Sequence, residues 1–94
     1  MNVERQYLEA LDLTHRMLEA TRNQDWESLT RIERQRAGII EAIARVDTPF
    51  SASEKASVAR MITEMEHENA EILERVQSWQ NDVKILLRMK EQPG

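Results

Sequence analysis

One stretch decides the fold: residues 53–89 read SEKASVARMITEMEHENAEILERVQSWQNDVKILLRM. Residues spaced alternately by four and three form the heptad pattern of one helical face; they are Val58, Ile62, Met65, Asn69, Ile72, Val76, Trp79, Val83 and Leu86. Neither Gly nor Pro interrupts the stretch, and good helix formers fill most other positions. The pattern therefore predicts one helix over about residues 53–89, roughly 55 Å long at about 1.5 Å per residue.

Two shorter helices are predicted ahead of it. The first covers about residues 2–22 and has on one face Val3, Tyr7, Leu11, Thr14 and Leu18. The second covers about residues 25–46 and presents Trp26, Leu29, Ile32, Ile39, Ile40, Ile43 and Val46. Short connections favour antiparallel neighbours. We expect an all-α single domain over residues 1–94: an antiparallel three-helix up-down-up bundle whose long third helix extends beyond the first two, with a tail at 90–94.

The connection before the third helix carries its own signals. Pro49 cannot continue the second helix, because its ring removes a backbone donor and clashes with the preceding turn. Ser51 and Glu54 have the spacing of a capping box, in which each side chain satisfies the other residue's backbone amide. Ser53 is a competing cap. The third helix is thus predicted to open at Ala52 or Glu54.

Composition and net charge exclude several classes of function. The chain has 94 residues, a net charge of −4 and no Cys, so it has no disulfide, thiolate zinc site or cysteine nucleophile. An acidic protein offers little to a phosphate backbone, so nucleic-acid binding is not expected. Acidic residues interrupt any signal peptide, and no stretch approaches the ~20 apolar residues of a membrane span. We expect a cytoplasmic protein, without membrane insertion, that binds other proteins.

Arg36 is a polar residue in the middle of the apolar face of the second helix. Helical geometry brings it close to Asn69, and Thr14 and Glu33 complete a predicted polar layer. A half-buried Arg is costly unless a carboxylate pairs with it, and Glu33 or Glu66 is the expected partner. Two interpretations stay open. The layer sets the register of the bundle, or the guanidinium recognises an anion or a carboxylate of a bound protein.

Acidic residues crowd the middle of the third helix; they are Glu64, Glu66, Glu68, Glu71 and Glu74. With His67 they suggest a metal site, but such bundles need Glu-x-x-His motifs from facing helices. The motif occurs once, at Glu64–His67; the second helix has no His, and His15 belongs to the first helix. We therefore predict a solvated acidic face and no metal, with Glu68 and Glu71 pairing with Arg31 or Arg34. No phosphate loop or nucleophile motif occurs, so we expect neither catalytic residues nor a cofactor.

Counting back from the turn at residues 47–53 places Trp26 and Trp79 near the same end of the bundle. Beyond that end the third helix should overhang. Its apolar side chains there, Val83, Leu86, Leu87 and Met89, need cover, because large apolar patches usually mark an interface. A second copy of the chain or an amphipathic partner segment would each provide it.

The second helix resembles that of a known family. The run Trp26-Glu-Ser-Leu29-Thr-Arg-Ile-Glu33-Arg-Gln-Arg36, after Ala20-Thr-Arg-Asn-Gln-Asp25, is similar to the FliT family of flagellar type III export chaperones. A Pro-containing loop then leads into a long third helix, in which Glu68-Asn69-Ala-Glu-Ile72-Leu73 also looks like the family. The resemblance spans about residues 7–87. Family members often carry a further helix that masks the binding groove, and this sequence stops at Gly94.

The resemblance implies a non-enzymatic cytoplasmic chaperone. It would bind the C-terminal segment of the filament-cap protein FliD, prevent premature assembly, and deliver FliD to the export gate and its ATPase complex. Enteric relatives also bind the flagellar master transcription activator. We predict a homodimer and a client along helices 2 and 3, contacting chiefly Ile72, Val76, Trp79, Val83 and Leu86. The alternatives are a structural coiled-coil homo-oligomer without a client and a small transcriptional regulator that acts by protein contact.

Overall fold

The computed structural model describes residues 3–47 and 49–91 as three helices joined by short connections. They are α1 (Val3–Arg22), α2 (Trp26–Ala44) and α3 (Ala52–Glu91). The predicted all-α fold is confirmed, since no strand occurs within these ranges. α2 ends two residues before the predicted position, and α3 takes in two residues of the predicted tail, the rest of which lies outside the described residues.

The turn between α1 and α2 reverses the chain within three residues. Gln24 adopts a left-handed conformation with φ of 56°. The Asp25 amide donates to the Ala20 carbonyl at 2.8 Å and the Gln24 amide to the Thr21 carbonyl at 3.1 Å. Both bonds satisfy carbonyls at the end of α1, which have no partner within the helix. The Asp25 carboxylate then accepts from the Ser28 amide at 3.2 Å and so caps α2. These bonds make the two helices antiparallel.

A capping box opens α3. The Ser51 amide donates to Glu54 Oε1 at 3.0 Å, and the Glu54 amide donates to Ser51 Oγ at 3.2 Å. Two free amides at the start of the helix are thereby satisfied reciprocally. The bonds from Ser51 to its carboxylate lower the pKa of Glu54. The predicted pair is confirmed and the competing cap, Ser53, lies inside the first turn.

Helix α1 packs against both other helices and supplies most of the core. One buried cluster joins all three helices and contains Leu13, Met17, Leu18, Ala20, Leu29, Ile32 and Ile72. A second joins α1 to the first half of α3 and contains Leu11, Val58 and Met61. Along the described residues, the Cα atoms of α2 and α3 nowhere come within 8 Å of each other. These two helices meet through side chains, Trp26 with Trp79 and Arg36 with Asn69. We call the surface along these contacts, between the two backbones, the α2–α3 groove.

Aromatic pairs mark the two ends of the bundle. Trp26 and Trp79 lie with ring centroids 4.8 Å apart, so the prediction that they fall at the same end is confirmed. At the other end, the ring centroids of Tyr7 and Phe50 are 6.1 Å apart in an edge-to-face contact, a geometry that aromatic rings prefer. The molecule measures 66 × 20 × 20 Å because α3 is about twice as long as α1 or α2. No helix within the described residues is long and apolar enough to cross a lipid bilayer.

Candidate functional site

The last turns of α3 expose large apolar side chains. Leu86 is 58% exposed and Ile85 is 55% exposed, and Leu87 and Met89 are exposed to a similar degree. We call the segment 83–89 the overhang. Ile85 was not among the predicted overhang residues, yet it is as exposed as Leu86 and Leu87. Its exposure leaves apolar surface on two sides of the helix.

The five residues predicted to contact a client lie in different environments. Ile72 is 5% exposed and packs in the three-helix core, so it offers almost no surface to a partner. Val76 is partly buried against the same core, whereas Trp79 is 39% exposed while it lies against Trp26. Val83 is half-buried, and Leu86 is the most exposed of the five. The accessible part of the predicted surface therefore begins at Trp79.

The four residues predicted to form a polar layer are brought together in part. Arg36 Nη1 donates to Thr14 Oγ1 at 3.0 Å and to Asn69 Oδ1 at 2.7 Å. Thr14 is fully buried, and its hydroxyl donates in turn to the Ala10 carbonyl at 2.8 Å. This network joins all three helices at one level. Glu33 remains exposed and forms no ion pair with Arg36 in the described structure.

The half-buried position of Arg36 disfavours the positive charge of its guanidinium. Partial burial lowers the pKa of the Arg36 guanidinium, and the nearby charge of Glu33 offsets this only in part, because a low-dielectric surrounding disfavours the charged form. Among the described residues, neither Glu33 nor Glu66 forms the expected ion pair with it. The guanidinium is instead held by two neutral oxygen acceptors.

The acidic side chains of α3 pair with α1 rather than with α2. Glu71 accepts from Arg22 Nε and from Arg75 Nε, each at 2.9 Å, and both bonds lower the pKa of Glu71. The expected pairs with Arg31 or Arg34 were therefore wrong. The charges were evident from the sequence but the neighbouring helix was not, and α1 lies against this face of α3.

His15 of α1 faces two of the acidic side chains of α3, although the sequence analysis had looked for a facing histidine on α2. Its Nδ1 is hydrogen-bonded to the Glu68 carboxylate, and its Nε2 lies 3.7 Å from Glu64 Oε1. One ligand atom from each of the three residues lies within 4.8 Å of the others, which is close enough to hold a divalent cation. The direct His15–Glu68 bond also serves as an inter-helix contact without an ion. His67, the histidine of the predicted motif, is exposed.

Three helices, one of them long and exposing apolar side chains beyond the bundle, define a small helical protein of the protein-binding class. The chain matches the family model described as flagellar protein FliT over residues 4–92, nearly its whole length, so it belongs to the FliT family. This family comprises flagellar export chaperones, which are not enzymes. Comparisons with curated proteins and with solved structures gave no match.

Proposed function

We propose that this protein is a cytoplasmic chaperone that binds the filament-cap protein FliD through the C-terminal segment of FliD. Binding keeps FliD from assembling prematurely and delivers it to the export gate and its ATPase complex. The observation that carries the proposal is the overhang of α3 in a chain that belongs to the FliT family. A cytoplasmic location follows from the role, because a chaperone of this kind meets its client before export.

The client surface is proposed to run along the α2–α3 groove to the overhang. Its apolar contacts are Trp79, Val83 and Leu86, the accessible residues of the predicted set, joined by Leu87. Ile72 and Val76 support this surface from the core, where they pack α3 against the bundle. An amphipathic client helix would bury these side chains, and each exposed leucine that becomes buried contributes about 1.5–3 kcal/mol.

The test is calorimetric titration with the C-terminal segment of FliD from the same organism. Wild type should bind with a negative heat-capacity change, which apolar burial produces. Replacing Val83 and Leu86 together by Ser should weaken binding by at least about tenfold, because two apolar contacts are lost. Helicity by circular dichroism should stay unchanged, since neither side chain is buried in the core.

A matched control is available on α1. Leu8 is as exposed as Leu86 but lies far from the overhang along the molecule, so Leu8→Ser should bind the segment like wild type. If the Val83→Ser, Leu86→Ser variant bound as tightly as the control, the client surface would lie elsewhere.

Self-association is the competing function for the same residues. The exposed overhang would also suit a second copy of the chain, either as a homodimer that still binds FliD or as a structural coiled-coil homo-oligomer without a client. A stable dimer by light scattering, with no heat on titration at several temperatures, would favour the structural role.

We further propose that the flagellar master transcription activator competes for this surface, which would make the protein a regulator by protein contact. Displacement of a labelled FliD segment by the purified activator tests this role. Simultaneous binding of both would place the activator on another face.

A further inference from the structure

Among the described residues, only one of the three guanidinium nitrogens of Arg36 makes hydrogen bonds. Its Nη1 group makes the two bonds to Thr14 and Asn69, which use both of its hydrogens. Within the described parts of the chain, no acceptor is bonded to Nε or Nη2, and no carboxylate forms an ion pair with the group. Asn69 turns its oxygen toward Arg36, and its amide nitrogen likewise donates to no described residue. The site therefore presents donors for which the described residues supply no further acceptor.

This lack of an acceptor matters because the cation is half-buried. Removing a guanidinium from water costs free energy, and a paired carboxylate is the usual compensation. Here Glu33 acts only from a distance, and partial burial holds the pKa of Arg36 below its ordinary value. A carboxylate placed against the free edge would form charge-assisted, two-pronged hydrogen bonds with Nε and Nη2.

Apolar side chains flank the site on both helices. Ile40 lies one turn after Arg36 on α2, and Leu73 lies one turn after Asn69 on α3; both are exposed. Since α2 and α3 run antiparallel, these two side chains lie on opposite sides of the polar pair. The groove thus offers an apolar, a basic and a second apolar position in sequence. That order complements an amphipathic segment with an acidic residue between apolar ones.

We propose that Arg36 and Asn69 form a carboxylate-recognition site that fixes the register of the bound client in the α2–α3 groove. The inference rests on the proposed function and specifies the chemistry of its client: one carboxylate, from a side chain or from the chain terminus. A single acid suits the site better than a polyanion, because the protein carries a net charge of −4, which repels extended negative partners.

A double-mutant cycle tests the proposal. The variant of the protein is Arg36→Met, which keeps an unbranched apolar side chain but removes the guanidinium. The client side replaces each Asp or Glu of the FliD C-terminal segment by its amide, one at a time, and amidates the terminal carboxylate in a separate peptide. At one client position the change should weaken binding to wild type by about tenfold or more, the effect expected of a charge-assisted hydrogen bond. The same change should have no effect on binding to Arg36→Met.

Arg34→Met is the matched control, because Arg34 is exposed and belongs to the same helix. It removes the same charge and should leave every client effect as in wild type. The amide peptides are also titrated against the wild-type protein. This titration identifies the one client acid on which binding depends, even if Arg36→Met does not fold. Arg36→Lys, which keeps the charge without the planar fork, should recover only part of the lost affinity.

The outcomes separate the two proposals. Coupling between Arg36 and a side-chain acid, or between Arg36 and the terminal carboxylate, supports the site and identifies the source of the carboxylate. Binding by wild type with no coupled position overturns the carboxylate site and leaves the chaperone function standing. Failure of wild type to bind the segment at all overturns the proposed function, and the inference falls with it.

Discussion

Replacing Ile72 by Ala should destabilise the protein strongly, even though the heptad pattern placed Ile72 on the predicted client surface. Ile72 is 5% exposed and lies in the cluster that joins all three helices. Truncating a buried Ile to Ala costs about 2–5 kcal/mol, from lost transfer free energy and the cavity left behind. A cost of about 3 kcal/mol would lower the melting temperature by about 12–24 °C in a domain of this size.

The assay is urea unfolding followed by circular dichroism, with Ile85→Ala as the matched control. The chemical change is identical and the helix is the same, but Ile85 is 55% exposed on the overhang. Its replacement should change the free energy of unfolding by no more than about 0.5 kcal/mol. Equal costs at the two positions would refute the reasoning, since they would mean that the overhang is as buried in solution as the core.

Three further predictions concern the network, the helix propensity and the surface charges. The change Thr14→Val removes the buried hydroxyl that accepts from the half-buried guanidinium. One N–H of Arg36 Nη1 then loses its partner while the bond to Asn69 remains, and the change should cost about 1–3 kcal/mol. Thr63→Val, at an exposed threonine with the same kind of backbone bond, should cost almost nothing, and equal urea midpoints for the two variants would contradict this. Gly38→Ala should stabilise the folded protein by up to about 1 kcal/mol, because Ala has the higher helix propensity and an added Cβ meets nothing within 4 Å. Ala37→Gly, the reverse change at an exposed neighbour, should lower the free energy of unfolding by a similar amount in the same assay. Glu71→Gln should lower the urea midpoint at neutral pH but not in strong acid. The folded protein depresses the pKa of Glu71, so its contribution is present above the ordinary glutamate pKa and is lost as the pH falls through the folded value. A difference from wild type that persisted in strong acid would show that the two arginine contacts are not its origin.

Much of the fold was predictable because local chemistry determines it. The long run without Gly or Pro predicted α3, and the Ser51–Glu54 spacing predicted the hydrogen bonds that open it. Connection lengths placed Trp26 and Trp79 at one end of the bundle. Pro49 predicted the break before α3, although α2 ends at Ala44. The end of a helix depends on the last turn's contacts, which a propensity pattern does not contain.

The partners of individual side chains were less predictable. The sequence placed Glu68 and Glu71 on an acidic face and named α2 as their partner, whereas His15 and Arg22 of α1 pair with them. Periodicity gives the face of a helix on which a residue lies, but it does not say which of two neighbouring helices that face meets. Arg36 illustrates the same limit. The sequence predicted that Arg36 lies close to Thr14 and Asn69, to which it is hydrogen-bonded. It did not predict that no carboxylate of the described residues would pair with the guanidinium.

By itself the sequence determined three helices, their order, the capping box of the third and a third helix too long for the other two to cover. The reason is that backbone hydrogen bonding and apolar period act over a few residues. Only the tertiary structure decided that Ile72 belongs to the core while Leu86 stays exposed, although both lie on one heptad seam. The physical reason is that burial depends on whether a neighbouring helix reaches that level of the seam. α1 and α2 cover the turn that carries Ile72 and end before the turn that carries Leu86, so identical spacing produces a core residue in one place and an exposed apolar surface in the other.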